Sequence, residues 1–244
     1  MKVLFLMGGE KVEHKDGKYP LYMAEINEKL VLEKQTEYLS ELKPSQVLFC
    51  VKSEDVKDFH VDDVIRQAVP NSTCITINNK TQGAVCSALL AAEHIDNGEE
   101  LIVMAIDDFI DDSGKKILDY FKEQNCDAGV VSFTSVHPRY SFAKVDNNGM
   151  VSELAEKRPI SKNALASFYY FKKGSDFVNS AKDVIRKDNP VNNAFYLSQT
   201  INEMILKQKK VGMYKIDNAK FHPLKSEMQL AQYMLQLKEE KESI

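Results

Sequence analysis

The segment KVLFLMGG, residues 2–9, combines an unbroken apolar run from Val3 to Met7 with two glycines directly after it. Short apolar runs without alternation are typical of strands that are buried on both faces of a sheet. Similar runs occur at residues 46–51 and 101–105, and segments with helical periodicity separate all three. Strands that alternate with helices in this way build a parallel sheet between helical layers. The N-terminal half therefore predicts an α/β fold.

The rest of the chain extends this sheet and adds an antiparallel part. Besides the runs above, the pattern predicts strands at 74–77, 128–133, 140–145, 150–155, 165–171 and 211–216, and helices at 30–42, 60–69, 82–94, 114–124, 175–186, 193–207 and 226–242. The turn sequence Asp146-Asn147-Asn148-Gly149 joins two of these strands as a hairpin. Since the sequence contains neither an internal repeat nor a Gly/Ser-rich linker, we expect one continuous domain with an antiparallel appendage and an amphipathic C-terminal helix.

Composition and charge narrow the classes of function. The 244 residues are 43% hydrophobic, and 32 Lys and Arg stand against 36 Asp and Glu, a net charge of −4. A chain of this length favours one large domain, and the lack of excess cations argues against general nucleic-acid binding. No apolar run approaches the roughly 20 residues of a membrane span, and the first residues do not form a secretory signal. We therefore expect a cytoplasmic protein whose partners are neither nucleic acids nor membranes.

Gly8 and Gly9 follow the first predicted strand, at the place where ligands of parallel α/β sheets collect. Glycine lets the backbone pass close to a ligand, and exposed N–H groups favour an anion such as a phosphate. The loop matches neither G-x-G-x-x-G nor G-x-x-x-x-G-K-[ST], so it indicates neither a dinucleotide fingerprint nor a Walker loop. A plain turn is the alternative interpretation of the glycine pair.

A second polar loop, IDDFIDD at residues 106–112, follows the run at 101–105. Carboxylates at the end of a strand are suitable hard ligands for Mg²⁺ that carries a nucleotide phosphate, and Asp107 is the candidate that faces the cleft. Alternatively, Asp111 or Asp112 caps the helix that opens at Ser113. The two interpretations are compatible, because they concern different residues of the loop.

Several short motifs occur in the order typical of one enzyme family. After the glycine pair come Tyr19-Pro20-Leu21, the run from Glu25 to Leu30, Thr81-Gln82-Gly83-Ala84, Asp107 and Glu156-Lys157-Arg158-Pro159. In this order the motifs resemble those of the sugar-phosphate nucleotidyltransferases, and the similarity extends from Lys2 to about Leu230. The later segments NALASFYYFKKGSDFV and VNNAFY look like a branch of that family with functions in capsular or surface polysaccharide.

The resemblance implies a Rossmann-like, mostly parallel mixed sheet with helices on both faces and a small antiparallel flap. It also implies an enzyme that joins a nucleoside triphosphate to a sugar phosphate or similar phosphorylated small molecule, with Mg²⁺ as cofactor and release of pyrophosphate. Such chemistry needs mainly positioning and neutralisation of charge. Residues 1–126 would form the nucleotide-binding half, residues 127–225 the acceptor-binding half, and residues 226–244 a C-terminal helix.

The same resemblance assigns roles to individual residues. It implies nucleotide contacts for Met7, Gly8, Gly9, Glu10, Gln82 and Gly83, acceptor contacts for Asp108, Glu156, Lys157 and Asn193, and a metal contact for Asp107. Lys18, Asp107 and Lys157 would be the catalytic residues, and Lys157 would balance the charge of the sugar phosphate. Two alternatives remain open, because Glu156 and Lys157 could form a solvated strand end and Gln82 could simply begin a helix.

The chain departs from the family pattern at the phosphate loop. The family's loop carries an arginine, whereas GGEKVEHKDGKYPLY, residues 8–22, has none, and its acidic residues equal its lysines in number. A triphosphate loop without net positive charge leaves neutralisation to Mg²⁺ and to a few lysines. Lys18 is the best-placed substitute by position, ahead of Lys11 and Lys15.

A second departure concerns the metal. The family places another metal carboxylate near the segment that reads FHPLKSEMQL here, residues 221–230, and only His222 offers a ligand atom there. Imidazole nitrogen is a softer donor than Mg²⁺ prefers. The metal site would therefore be incomplete or would recruit Asp108 or Asp111.

Two other classes of function fit the same pattern. A metal-dependent glycosyltransferase that uses a nucleotide-sugar shares this sheet architecture, and a catalytically inactive homologue would only bind a nucleotide or nucleotide-sugar. Neither the base nor the acceptor can be read from the sequence. The C-terminal helix and the aromatic strand near Tyr169 would form either a homo-oligomer interface or part of the core.

Overall fold

The computed structural model describes residues 1–9, 11–14 and 17–242, without the side chains of residues 11–14, 17–18 and 240–242. The strands are β1 (Lys2–Met7), β2 (Lys11–His14), β3 (Gly17–Pro20), β4 (Glu25–Ile26), β5 (Lys29–Leu30), β6 (Gln46–Lys52), β7 (Thr73–Ile77), β8 (Leu101–Ala105), β9 (Asp108–Ile110), β10 (Ala128–Thr134), β11 (Ser141–Val145), β12 (Val151–Glu156), β13 (Asn163–Phe171), β14 (Val211–Lys215) and β15 (Phe221–Pro223). The helices are α1 (Val31–Thr36), α2 (Tyr38–Leu42), α3 (Ser53–Phe59), α4 (Val61–Ala68), α5 (Ala84–Leu89), α6 (Ala92–Ile95), α7 (Gly114–Glu123), α8 (Gly174–Arg186), α9 (Leu197–Leu206) and α10 (Glu227–Glu242), with short 3₁₀ turns at Leu21–Met23 and Asn218–Lys220.

The described strands form a central nine-stranded sheet. Strands β7, β6, β1 and β8 lie side by side in parallel, and β13 continues the sheet antiparallel to β8. Strand β10 pairs with β13 and, in parallel, with β14, while the hairpin β11–β12 attaches to β13 on the edge that β8 also uses. The predicted fold class is confirmed: a mixed, mostly parallel sheet with helices around it and small antiparallel sheets.

Strand β1 shows why the sheet carries helices on both faces. Val3, Phe5 and Met7 belong to one hydrophobic core, whereas Leu4 and Leu6 belong to a second one. Successive side chains of a strand point to opposite faces, so a continuous apolar run buries both. Helices α1, α4 and α7 contribute to the first core, and helices α5, α8 and α9 contribute to the second.

Two predicted helices are interrupted in the structure. The helix predicted at 30–42 divides into α1 and α2, because the Thr36 hydroxyl donates to the Glu33 carbonyl and the Glu37 N–H bonds only three residues back. The helix predicted at 82–94 divides into α5 and α6, and Leu90 and Ala91 likewise bond three residues back. Such short-range hydrogen bonds tighten a helix and end its regular turns.

Other differences are additions that the apolar pattern does not show. Helix α3 was not predicted, and neither were the ribbons β2–β3, β4–β5 and β9–β15. Helix α9 begins four residues later than predicted, because residues 191–194 form a tight turn closed by Val191 and Ala194. Short two-stranded ribbons bury little apolar area, so periodicity alone does not reveal them.

The antiparallel hairpin and the C-terminal helix agree with the prediction. Hairpin β11–β12 encloses the Asp146–Gly149 turn, and the Asp146 N–H donates to the Met150 carbonyl over 2.8 Å. Helix α10 packs one stripe, formed by Leu230, Tyr233, Met234 and Leu237, against the first core. Within the described part of the chain, every helix is too short or too polar to cross a membrane.

Gly83 determines where helix α5 begins. Its φ of +104° lies in a region that side chains rarely adopt, and an added Cβ would lie 2.6 Å from the Phe195 carbonyl oxygen. We predict that Gly83→Ala lowers the free energy of unfolding by at least about 2 kcal/mol, because backbone strain and overpacking act together. Urea unfolding followed by circular dichroism measures this loss.

Gly149→Ala is the matched control for that measurement. Gly149 has a φ of +78°, but a Cβ there would meet nothing within 4 Å, so only backbone strain acts. We expect a loss of about 1 kcal/mol. Equal losses in the two variants would show that the contact with Phe195 adds no cost.

Candidate functional site

A cavity of about 650 Å³ opens at the carboxyl ends of the parallel strands. Its lining includes Gly8 and Gly9 after β1, residues 52–54 at the end of β6, residues 78–81 after β7, and Asp107 after β8. Ligands of open α/β sheets bind at this edge, because the loops that follow parallel strands converge there. The cavity is therefore the candidate functional site.

The loops after β1 and β8 face each other across this cavity. A Cβ added to Gly9 would lie 3.4 Å from Oδ2 of Asp107, so the absence of a side chain at Gly9 keeps the space in front of the carboxylate open. The Lys52 ammonium donates to the Gly9 carbonyl and holds the loop from the side of β6. The structure thus brings together the two loops that the sequence singled out.

The backbone around Asp107 is held by contacts with distant parts of the chain. Strand β9 pairs with β15, with Pro223 opposite Asp108, and the Leu224 N–H donates to the Asp107 carbonyl over 2.7 Å. From the other side, the buried amide of Gln35 donates to the Asp108 carbonyl over 3.1 Å. These bonds determine the direction in which the carboxylates of Asp107 and Asp108 point.

Lys225 forms ion pairs with both Asp107 and Asp108. Its ammonium lies 2.9 Å from Oδ1 of Asp108 and 3.7 Å from Oδ1 of Asp107, and it lines the cavity. The Ser167 hydroxyl donates to Oδ2 of Asp108 over 2.5 Å. Asp108 is buried, so its charge depends on these two partners.

The pKa values follow from this arrangement. Burial raises the pKa of Asp107 to about 6; Asp108 adds to the rise and Lys225 opposes it. Burial alone would lower the pKa of Lys225, but the charges of Asp108 and Asp107 outweigh it and raise that pKa above its usual value. At neutral pH Asp107 is therefore mostly ionised and Lys225 is protonated.

The donor set fits the predicted Mg²⁺ poorly. Mg²⁺ prefers several oxygen ligands in octahedral geometry, but Lys225 and Ser167 already engage Asp108. Among the described residues, no group of three or more His, Cys, Asp and Glu side chains converges on one point. A divalent ion on Asp107 would also meet the neighbouring ammonium, and like charges repel at short range.

The other candidate metal ligands from the sequence, His222 and Asp111, do not line the cavity. His222 is buried between the rings of Phe109 and Tyr233, with ring centroids 6.0 and 4.4 Å away. Asp111 is exposed, and its N–H donates to the Lys220 carbonyl. Ser113, not Asp111 or Asp112, caps helix α7, because its hydroxyl accepts from the Lys116 N–H.

Asp108, for which the sequence predicts a contact with the acceptor, is buried in the structure. The residue as a whole is only 3% exposed. Its oxygens lie against Lys225 and Ser167, behind the surface of the cavity. The contact of Asp108 with the acceptor therefore stays a prediction, and the structure shows its carboxylate engaged by Lys225 and Ser167.

Glu156 does not line the cavity, but its hydrogen-bonding partner Ser198 is next to a residue that does. Its Oε2 accepts from the hydroxyls of Ser141 and Ser198, the latter over 2.8 Å, and Leu197 beside Ser198 lines the cavity. Burial raises the pKa of Glu156, while the two hydroxyls, Lys157 and Lys225 oppose the rise. Lys225 is thus electrostatically linked to Glu156 as well as to the Asp pair.

Lys157 stands at the end of β12 in a left-handed backbone conformation, with a φ of +53°. Its N–H donates to the Tyr140 carbonyl over 3.0 Å, and its ammonium lies 5.1 Å from the centroid of the Tyr196 ring. A non-glycine residue in this region is often part of a functional site. Glu156 is held by two hydroxyls rather than fully solvated, and the contact of Lys157 with the acceptor stays a prediction.

The remaining predicted residues lie at different distances from the cavity. Gly83 lines the cavity. The side chain of Gln82 is exposed, and the backbone carbonyl of Gln82 accepts from the Phe195 N–H. The Met7 side chain is fully buried in the core, so only its backbone faces the loop. Asn193 is exposed in the turn that precedes Phe195 and does not line the cavity.

Two predicted residues of the loop are not tested by this geometry. Glu10 lies outside the described residues, and Lys18 lies in β3 with a side chain that is also outside them. The described lysines of the cavity are Lys52, Lys80 and Lys225. Sequence reasoning did not single out these three or Ser167, because no local motif marks them and only strand pairing brings them together.

Comparisons with known proteins identify the family of the chain and support its fold. A model of the nucleotidyl transferase family matches residues 23–219. The chain is similar in fold to a nucleoside-diphosphate-sugar pyrophosphorylase from Vibrio cholerae, with a TM-score of 0.78, 17% identity, and coverage of 96% of this chain and 99% of the other. A UDP-glucose pyrophosphorylase in complex with UDP-glucose gives a TM-score of 0.75 at 15% identity, over 98% of each chain.

A third solved structure, HddC from Yersinia pseudotuberculosis in complex with GMP-PN, gives a TM-score of 0.66 at 17% identity and covers 97% of this chain and 99% of the other. The search of curated proteins gives no match. At these identities the solved structures establish the fold alone, whereas the family model spans most of the sequence. The chain belongs to the nucleotidyl transferase family.

Proposed function

We propose that this chain transfers a nucleotidyl group from a nucleoside triphosphate to a sugar phosphate or a similar phosphorylated small molecule. An oxygen of the acceptor phosphate attacks the α-phosphorus, a new P–O bond forms, and the bond to the β-phosphate oxygen breaks, so pyrophosphate leaves. The protein's task in such a reaction is positioning and stabilisation of charge. Membership of the nucleotidyl transferase family supports the class of reaction.

The observation that carries the proposal is the shared cavity of Gly8, Gly9, Asp107 and Lys225. It joins a glycine loop that can approach phosphates closely with a cation held by carboxylates. Among the described residues that line it, three are lysines and two, Glu54 and Asp107, are acidic. The described lining thus has one more lysine than acidic side chains, with Asp108 behind it, and these lysines support binding of a triphosphate without the family's arginine.

The far side of the cavity is suited to the acceptor. Glu156 is an oriented hydrogen-bond acceptor, because the Ser141 and Ser198 hydroxyls hold one of its oxygens. A carboxylate in this setting binds sugar hydroxyls, and the Lys157 ammonium can balance the phosphate of the same molecule. We propose that Glu156 and Lys157 hold the acceptor so that its phosphate points toward Lys225.

The proposed roles of the chain's residues do not depend on Mg²⁺. The family resemblance implies this ion, and when bound it would neutralise the phosphates, but Lys225 lies where it would share Asp107. The roles proposed for the chain's own residues are to bind the triphosphate, to hold the acceptor and to balance their charge. Nucleoside triphosphates are cytoplasmic metabolites, so we propose a cytoplasmic enzyme. The segment at 163–178 supports a product destined for capsular or surface polysaccharide.

A substrate panel tests the reaction. We expect pyrophosphate release when the protein is mixed with at least one common nucleoside triphosphate and one phosphorylated sugar, and none when either is omitted. A coupled pyrophosphatase assay measures it. Transfer from a nucleotide-sugar without its synthesis would indicate a glycosyltransferase instead, and nucleotide binding without any turnover would indicate a binding protein.

Asp107→Asn tests the nucleotide side of the cavity. The change keeps the shape but removes the charge that holds Lys225 at 3.7 Å, so we expect kcat to fall at least about a hundredfold with the fold retained. Asp111→Asn is the matched control, since the same change in the same acidic loop falls on an exposed residue outside the cavity. Similar rates for both variants would contradict the proposed role of Asp107.

Lys157→Ala tests the acceptor side. We expect KM for the phosphorylated acceptor to rise about tenfold or more, while KM for the triphosphate changes little, because Lys157 faces only the acceptor. Arg158→Ala is the control, since Arg158 is exposed and pairs with Glu153 over 3.4 Å. Initial-rate kinetics with each substrate varied in turn measure both constants, and an equal effect on the two KM values would refute this assignment.

A further inference from the structure

Lys225 places a positive charge in the cavity, where it can neutralise phosphate charge. Its ammonium lies beside the carboxylates of Asp107, which also lines the cavity, and Asp108, which does not. Its side chain is 48% exposed, whereas the side chain of Asp108 is only 5% exposed. The charged end is therefore anchored on a buried group and presented to the open space of the cavity.

The backbone holds Lys225 in this place. The residue before it, Leu224, donates its N–H to the Asp107 carbonyl over 2.7 Å and is buried in the core. The Lys225 N–H itself donates to the Gln229 side chain over 3.0 Å, which ties it to the start of α10. Strand β15, pairing with β9, brings this segment to the acidic loop. Lys225 is thus built into the site from both sides.

The charges of the cavity require a cation at this position. Without Lys225, Asp107 and the buried Asp108 would place two negative charges beside the site of an anionic ligand, which is unfavourable. A divalent ion could relieve this repulsion, but Asp108 Oδ1 already lies 2.9 Å from the ammonium and its Oδ2 accepts from Ser167. The chain therefore carries its own neutralising group.

We infer that the Lys225 ammonium takes the place of a protein-held divalent cation, so that this chain binds the phosphates of its nucleotide without a metal ion on Asp107. The identity of the ligand rests on the function proposed above, but the exclusion of a cation by Lys225 does not. Lys225 contacts the phosphates directly, and Asp107 and Asp108 position it. The ammonium is a compact charge with three donors, which suits contact with phosphate oxygens.

Manganese binding to the nucleotide-free protein tests the exclusion. We expect no Mn²⁺ site in the wild-type chain below about 1 mM, because the ammonium repels the ion. In Lys225→Met we expect a new site, detected by electron paramagnetic resonance, which disappears again when Asp107→Asn is added. Lys220→Met is the matched control, because Lys220 pairs with Asp112 over 3.3 Å and does not line the cavity.

Two results of this measurement would overturn the inference. A wild-type Mn²⁺ site that Asp107→Asn abolishes would show that Lys225 does not exclude the ion. A failure of well-folded Lys225→Met to gain a site would show that the ammonium is not what keeps it away. Because Lys225→Met leaves Asp108 buried without its cation, its fold is checked by urea unfolding. The wild-type measurement decides the matter if that variant does not fold.

Nucleotide affinity provides the second measurement. Calorimetry with ATP, GTP, CTP, UTP and dTTP is carried out in excess EDTA and again with Mg²⁺. For the nucleotide that binds, we expect wild-type affinities within about threefold of each other, and a loss of about tenfold or more in EDTA for Lys225→Met. Lys225→Arg, which keeps the charge, should retain most of the EDTA affinity.

These outcomes separate the inference from the proposed function. A wild-type affinity that collapses in EDTA overturns the inference while leaving the nucleotidyl transfer intact. If no nucleotide binds under either condition, the proposed function fails, and the Mn²⁺ measurement still decides whether Lys225 occupies the cation position. Equal EDTA affinities for wild type and Lys225→Met would overturn the direct contact between Lys225 and phosphate.

Discussion

The parallel pairing of β1 with β8 is the constraint on which the site depends. Leu6 stands opposite Ala105 in this register, so the loops that follow the two strands begin side by side. Gly9 then comes close enough to Asp107 that an added Cβ would be in van der Waals contact with its carboxylate. The cavity exists because two buried strands end at the same level and the first of them is followed by two glycines.

A buried carboxylate governs the electrostatics of this cavity. The buried carboxyl group of Asp108 requires partners, since an unpaired buried charge costs several kcal/mol. Ser167 and Lys225 supply them, and each comes from a strand or loop far from Asp108 in sequence. The ion pair thus adds little to stability, but it fixes the orientation of the groups around it. It aims an ammonium into the cavity.

Strand β13 joins the two sides of the site. It pairs with β8 on one edge and with β10 on the other, and it carries Ser167, which holds Asp108. Tyr169 on the same strand is buried and hydrogen-bonded to Ser141, which also donates to Glu156. Strand β13 therefore carries one residue that contacts Asp108 and another that lies beside the hydroxyl holding Glu156.

The order of strands and helices, the two polar loops and the C-terminal helix could be predicted from the sequence, because apolar runs and helical periodicity are local properties. The sequence by itself also determined that Gly8, Gly9 and Asp107 follow strands. Only the tertiary structure decided that Lys225, and not a second carboxylate or His222, stands beside Asp107. The pairing of β9 with β15 brings it there, and such a short ribbon between distant segments leaves no periodic trace in the sequence.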